Sequence, residues 1–230
     1  HTTSTSAETP YPGYTLFSTG RTAYLYNMDK EKVHEWSVRE GAVKTSPYLL
    51  QDGSVLFPLR AAEFTFRPGG AHGSGTFQRI GWDGELLWNF QFFGENFTPS
   101  YDLEPMPNGN VLLCAGFEDR RFPGKLFEIQ PQGKTGGKIV CECNVTEKLG
   151  GNVSGYINSV SYNASLDRVL INTQKPGQTL AVFDHSNADA KLLFSWNKGF
   201  ADLGSLPMDQ ATTPTSLATL PVGRAHRRGH

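Results

Sequence analysis

A short strand, a tight turn and a second strand closing on an aromatic residue recur along this chain about every 55 residues, and each such hairpin is followed by another of different composition. The first set reads TAYLYNMDKEKVHEW with its turn at Asp29, FQRIGWDGELLWNF turning at Asp83-Gly84, KLFEIQPQGKTGGKIVCEC turning near Gln132-Gly133, and LAVFDHSNADAKLLFSW turning between Asp184 and Asp189 and closing on Trp196. The second set is YLLQDGSVLF at Asp52-Gly53, DLEPMPNGNVLL at Asn108-Gly109 and YNASLDRVLI over Ala164 to Asp167, with TSLATLPVGRAH as a degraded fourth. Asp-Gly and Asn-Gly between alternating apolar residues signal hairpins, because a two-residue type I′ turn needs φ > 0 at both central positions. Two hairpins per repeat make a four-stranded antiparallel sheet, and several such sheets set radially make an all-β β-propeller. The competing architecture is a β-sandwich with regularly spaced turns. The fixed order of dissimilar hairpins favours the propeller.

Composition agrees with many short strands joined by tight turns: the 230 residues include 25 Gly and 14 Pro, with 12% aromatic and 19% charged. No amphipathic helical stretch exceeds about two turns. Four repeats stand at the low end of the propeller range, so the expectation is four blades or part of a six-bladed ring. On this reading residues 1–13 are an N-terminal extension, 14–223 the blades and 224–230 a basic tail or the point where the sequence runs out. A formal net charge of −1, with basic residues clustered only at Arg224, His226, Arg227, Arg228 and His230, argues against a nucleic-acid partner. No apolar run approaches the ~20 residues needed to cross a bilayer.

The Ser/Thr-rich HTTSTSAETPYPG opening reads as a mature N-terminus after signal removal, and a boundary of other origin would look the same. Secretion, to the extracellular space or a periplasm, gains support from N-x-S/T sequons at Asn96, Asn144, Asn152 and Asn163, the first weakened by the following Pro99. Three cysteines are present. Cys141 and Cys143 lie two apart on a strand and share a face, so one disulfide to Cys114 with a free thiol is compatible with the sequence, and so is none. Three thiols without a nearby His do not make a zinc site, and no metal or other cofactor is expected.

Several strings in order carry a family likeness. PYPGYTLFSTGRTAYLYNMDKEKVHEWSV, YLLQDGSVL, the Gly-rich RPGGAHGSG, IGWDGELLWNF, DLEPMPNGNVLL, YINSVSYNASLDRVLINTQ and LAVFDHS, spanning Tyr11 to Trp196, resemble the arylsulfotransferase-like propellers, a secreted group. The resemblance implies six blades, an active site in the axial channel, and transfer of a sulfuryl group from an aryl sulfate to a phenol, without a nucleotide sulfate donor, through a transiently sulfated histidine. Such chemistry needs a neutral imidazole as nucleophile and donors around three charged oxygens.

The chain departs from that pattern at the reacting positions. Ser100-Tyr101-Asp102 stands where the family has His-His-Asp, Tyr156 replaces the His before the Asn-Ser-Val motif while Asn158 is retained, and Asn172-Thr173-Gln174 replaces Ser-Ser-Arg, leaving Lys175 as the nearest cation. The closest match to a Gln-His pair is Gln210-Ala211. The expected site therefore holds Tyr156 and Asn158 at the catalytic positions and Tyr101, Asp102, Gln174, Lys175 and Gln210 around a small aromatic or anionic ligand. Tyrosine keeps a stacking face and a donor, but its phenol titrates near ~10 and is a poor nucleophile at neutral pH. Asp102 equally fits a structural role, holding a neighbouring blade through backbone N–H groups. His34 reads as an inter-blade packing residue, His72 as part of an irregular Gly-rich loop, Asp184-His185 as a turn cap, and His1 as at most half of an N-terminal copper brace that nothing else supports. Two functions follow: a catalytically silent propeller acting as an extracellular binding or assembly module, whose open edges would invite self-association or an extracellular partner; or an active aryl-sulfate sulfotransferase, with Tyr156 or Tyr101 as nucleophile.

Overall fold

The computed structural model describes residues 12–60, 75–92, 99–116, 124–151, 157–173, 179–186 and 190–196. These form four successive antiparallel sheets, the blades of a β-propeller. Blade 1 is β1 (Tyr14–Thr19), β2 (Thr22–Asn27) and β3 (Lys32–Ser37). In blade 2, the short strands β4 (Ala42–Val43) and β5 (Tyr48–Leu49) both pair with β6 (Val55–Arg60), forming one interrupted first strand, and β7 (Thr76–Ile80) and β8 (Leu86–Gln91) follow. Blade 3 is β9 (Pro99–Pro105), β10 (Val111–Ala115), β11 (Lys125–Gln132) and β12 (Gly136–Asn144). A single helical turn, α1 (Val145–Lys148), capped by the Asn144 side chain on the Glu147 N–H, leads to blade 4: β13 (Ile157–Asn163), β14 (Arg168–Thr173), β15 (Leu180–Asp184) and β16 (Leu192–Trp196).

The sheets take the hairpins in a different frame from the one the repeat suggests. Blade 2 begins with YLLQDGSVLF and closes with FQRIGWDGELLWNF, and blades 3 and 4 likewise start on the hairpin read as second and end on the aromatic-closing hairpin of the next repeat. The reason is that each aromatic-closing hairpin ends its sheet: Trp36, near the end of β3, is buried in the seam with blade 2, and the chain after it begins the next sheet.

Successive blades pack face to face through three apolar clusters. Leu25 and Trp36 of blade 1 meet Phe57, Leu59 and Ile80 of blade 2. Leu56, Phe77 and Trp88 of blade 2 meet Leu113, Phe127 and Ile129 of blade 3, whose Leu112, Cys114 and Leu126 in turn meet Val160, Ile171 and Phe183 of blade 4. Neighbours such as Leu56 and Phe57, or Leu112 and Leu113, serve opposite seams because side chains alternate along a strand. That is why β10 is apolar throughout, as expected of a strand covered on both faces.

The turns are not type I′. At Asp52-Gly53, Asp83-Gly84 and Asn108-Gly109 only the glycine has positive φ, at 80°, 81° and 85°. In each, the Asp or Asn Oδ1 accepts the N–H two residues on, from Ser54, Glu85 and Asn110. This Asx bond stands at the corner of a type I turn, whose glycine forms the following bulge.

The cysteines are free thiols. Cys114 and Cys143 both stand opposite Leu126, with β11 between them. Two inter-strand steps of about 4.8 Å separate their backbones by roughly 9.6 Å, beyond disulfide reach. Burial pushes the thiol of Cys143 up to about 11 and raises those of Cys114 and Cys141.

Candidate functional site

The first strands of blades 2, 3 and 4 lose their regular pairing at the same level. In blade 2 the ladder stops after Val43↔Leu59 and resumes only at Tyr48↔Leu56. In blade 3 pairing jumps from Leu103↔Leu113 to Ala115↔Pro99, which sets Ser100, Tyr101 and Asp102 against Cys114. In blade 4 it jumps from Ser159↔Asn172 to Ile157↔Thr173, leaving Asn158 as the extra residue. Leu59, Ala115 and Thr173 each lie four positions along the second strand from Val55, Val111 and Val169, which face the preceding blade in all three sheets, so the irregularities share a rung. Bulges bend a strand and re-aim its side chains, and they concentrate beside sites. Two of the three carry residues singled out from the sequence.

Asp102 occupies the centre of this arrangement. Its Oδ1 accepts the Tyr48 hydroxyl of blade 2 at 2.6 Å, and its Oδ2 accepts the Val160 N–H of blade 4 at 3.2 Å. One carboxylate thus joins three blades, and β9 lies packed on β13. The structure brings Asp102 to within two residues of Asn158 along β13, and Asn158 is half-buried. The backbone of Tyr101 lies in β9. Its side chain, together with Tyr156, Gln174, Lys175 and Gln210, falls outside the described residues, as does His72.

Sequence reasoning passed over Lys44, which stands directly after β4 in the break of blade 2. Its Nζ is buried. Burial first, and the nearby Arg60 second, draw its amine from 10.5 down to about 8. The signal that could have found it is Pro47, since a proline within a strand run marks an interruption of the ladder.

Of the sequons, Asn144 is the cap of α1, with its Nδ2 donating to Glu147 at 3.1 Å, whereas Asn163 is buried and its Oδ1 accepts from Ser165 and Leu166 in the β13–β14 turn. Asn96 and Asn152 lie outside the described residues. His34 packs between blades: its ring stacks on Trp82 at 3.9 Å, and its Nε2 lies 2.8 Å from the Trp82 carbonyl. Asp184 accepts from the hydroxyl and the N–H of Ser186, which together with Arg168 and Lys191 lower its carboxyl. His185 does more than cap a turn. Its Nδ1 lies 2.9 Å from Asp167 of its own blade and its Nε2 3.0 Å from Glu128 of blade 3.

A separate cleft of about 370 Å³ opens between the turns of blades 2 and 3, at the end of β9 away from the bulge. Leu49, Trp88, Met106 and Pro131 line it, with the Arg79–Asp52 ion pair on its wall. Among the described residues no helix is long and apolar enough to cross a membrane, and no cluster of His, Cys, Asp and Glu is arranged to hold a metal ion.

No family model and no curated protein matches the chain. Among solved structures it is similar to a protein of unknown function from Bacteroides caccae, at 16% identity and a TM-score of 0.51 over 82% of this chain, and to the quinohemoprotein alcohol dehydrogenase of Comamonas testosteroni, at 10% identity and 0.52 over 81%. The chain spans 59% of the first and 34% of the second. At these identities the likeness concerns the fold, and that fold is the β-propeller.

Proposed function

We propose that this chain is a secreted, arylsulfotransferase-like propeller that binds a small aromatic or anionic ligand at the bulged ends of β9 and β13 without turning it over. The observation that carries the reading is the commitment of Asp102. Its two oxygens hold Tyr48 and the backbone of Val160, so the one acidic group at the expected catalytic position that survives in the sequence supports the blades. In the sequence the family's imidazoles are replaced by the phenols of Tyr101 and Tyr156. A bulged rung offers backbone and side-chain donors to a ligand, while a neutral phenol offers no nucleophile for sulfuryl transfer. Glycosylation at Asn144 fits the same extracellular reading, because that side chain stands partly exposed at a helix start.

The test is incubation with 4-nitrophenyl sulfate and a phenol acceptor, paired with calorimetric titration of 4-nitrophenyl sulfate alone. Saturable binding that Asn158→Ala weakens several-fold, with no release of 4-nitrophenol, is the expected result. Release of 4-nitrophenol that Tyr156→Phe abolishes would overturn it and establish the sulfotransferase.

A further inference from the structure

At one level, each seam between blades receives a side chain that reaches back from the next blade. Ile80, Ile129 and Phe183 stand in the third strands of blades 2, 3 and 4, pair with Val55, Val111 and Val169, and are buried against the preceding blade. Two residues further on, and so turned to the same side, come Trp82, Pro131 and His185. Trp82 stacks on His34 of blade 1 at 3.9 Å, and His185 sets its Nε2 3.0 Å from Glu128 of blade 3. Between blades 2 and 3 the corresponding residue is Pro131, which has neither an aromatic face nor a donor, and there the cleft of about 370 Å³ opens.

Arg79 enters the same cleft from blade 2, although its ladder neighbours Leu56 and Trp88 are both buried in this seam. Its place corresponds to that of Glu128, which pairs with Leu112 as Arg79 pairs with Leu56. Each charge is held by the turn of its own blade: Glu128 by Asn108 and Asn110, Arg79 by Asp52 and by Ser54, whose Oγ accepts the Nε–H at 2.8 Å. Glu128 also meets the His185 ring across its seam, whereas the residue opposite Arg79 is Pro131. The Oδ1 of Asp52 is tied into its own turn by the N–H and hydroxyl of Ser54. A guanidinium carries five N–H donors in a fork, and among the described residues no bond takes those of Nη1.

We propose that this cleft is a second binding site, separate from the bulged rung, and that it takes a small apolar carboxylate. The ligand's ring lies between Leu49, Met106 and Pro131, and its carboxylate sits on Arg79, as the partner that His185 is to Glu128 one seam further on. Arg79 and Asp52 are the only charged residues lining the cleft, and most of the wall is apolar, a make-up that buries a hydrophobic body and orients it by one charged contact. The volume stands at the lower end of the range for small-molecule sites, which suits a body of one or two rings. Arginine is fitted to the task because its planar fork matches a carboxylate and stays charged.

The experiment is calorimetric titration of the 230-residue chain with naphthalene-2-acetate and with naphthalene-2-acetamide, which has the same shape without the charge, repeated on Arg79→Met and Pro131→Trp. The expected result is saturable binding of the acid at a single site. Binding should be at least about tenfold weaker for the amide, and for the acid on Arg79→Met, the scale of one hydrogen bond to a charged group. Pro131→Trp, which fills the cleft with a side chain like that of Trp82, should abolish it. Melting temperatures verify that the variants fold, and the comparison of acid with amide needs no variant. Acid and amide binding alike would overturn the proposal, as would no binding of the acid up to about 1 mM. So would binding that Asn158→Ala weakens and Arg79→Met leaves unchanged, which assigns the acid to the bulged rung.

Discussion

The imidazole Nε2 of His185 lies 3.0 Å from Oε2 of Glu128, across the seam between blades 3 and 4, and both side chains are nearly buried. The other oxygen of Glu128 accepts from the side-chain amides of Asn108 and Asn110, while the other ring nitrogen of His185 faces Asp167, which also accepts the Tyr162 hydroxyl at 2.9 Å. The ring thus joins two carboxylates of different blades through its two nitrogens. The polar bridge therefore complements the apolar cluster of the same seam.

Replacing His185 by Ala leaves Glu128 buried with two amide donors and no bridging ring. The expected cost is about 2 kcal/mol, the usual range for a lost hydrogen bond to a charged group. Urea unfolding should show a lower midpoint with an unchanged slope. Combined with Glu128→Gln, the loss should be smaller than the sum of the two single losses, because the partners share one interaction.

Tyr48→Phe keeps the ring in its seam and removes one donor from Asp102. A loss of about 1.5–3 kcal/mol is expected for a bond to a carboxylate in a half-buried place. Thermal unfolding of the variant would reveal it. A change within experimental error would mean that the Tyr48 bond adds nothing to the hold of Asp102 on the blades.

Lys44 makes stability depend on pH in a defined direction. Its folded amine titrates at about 8 and its unfolded amine at 10.5, so between these values the unfolded chain holds a proton that the folded one has released. Stability tied to this group accordingly rises as pH climbs through that window. Comparing wild type with Lys44→Met from pH 7 to 9, below the range where Cys143 and Tyr162, raised to about 11 and about 12, act in the opposite sense, should show the advantage of the variant shrinking as pH increases.

Gly41→Ala should be severe for a residue outside any strand. The position has φ of +73°, and a Cβ there would lie 2.6 Å from the Arg60 carbonyl oxygen. Backbone strain and overlap with a ladder partner together are expected to cost about 2 kcal/mol or more. Gly84→Ala, with similar φ and open space around it, is the control and should cost less.

Much of the fold was legible because turns are local. Asp-Gly and Asn-Gly placed the corners at Gly53, Gly84 and Gly109, since positive φ there leaves few other residues. The kind of turn was not legible, because it depends on whether the Asp side chain bonds the backbone two residues on. Nor was the frame of the sheets, which is decided by where Trp36 and Trp88 are buried and not by the order of hairpins. The site was readable as strings around Asp102 and Asn158, but the use of Asp102 as a strut depends on Tyr48, far away in sequence, and Lys44 becomes unusual only once burial lowers its amine.

Arrays of repeated units usually couple only neighbour to neighbour, so that each can loosen with little regard for the one beyond. Asp102 keeps to that rule but concentrates it, because it stands in blade 3 and ties both of that blade's neighbours, through Tyr48 of blade 2 and Val160 of blade 4, to one side chain. A disturbance entering at either flank acts on the same carboxylate that holds the other. Local opening of blade 2 would then be penalised by the integrity of blade 4, and the row of sheets should come apart in one step rather than peel away from an end.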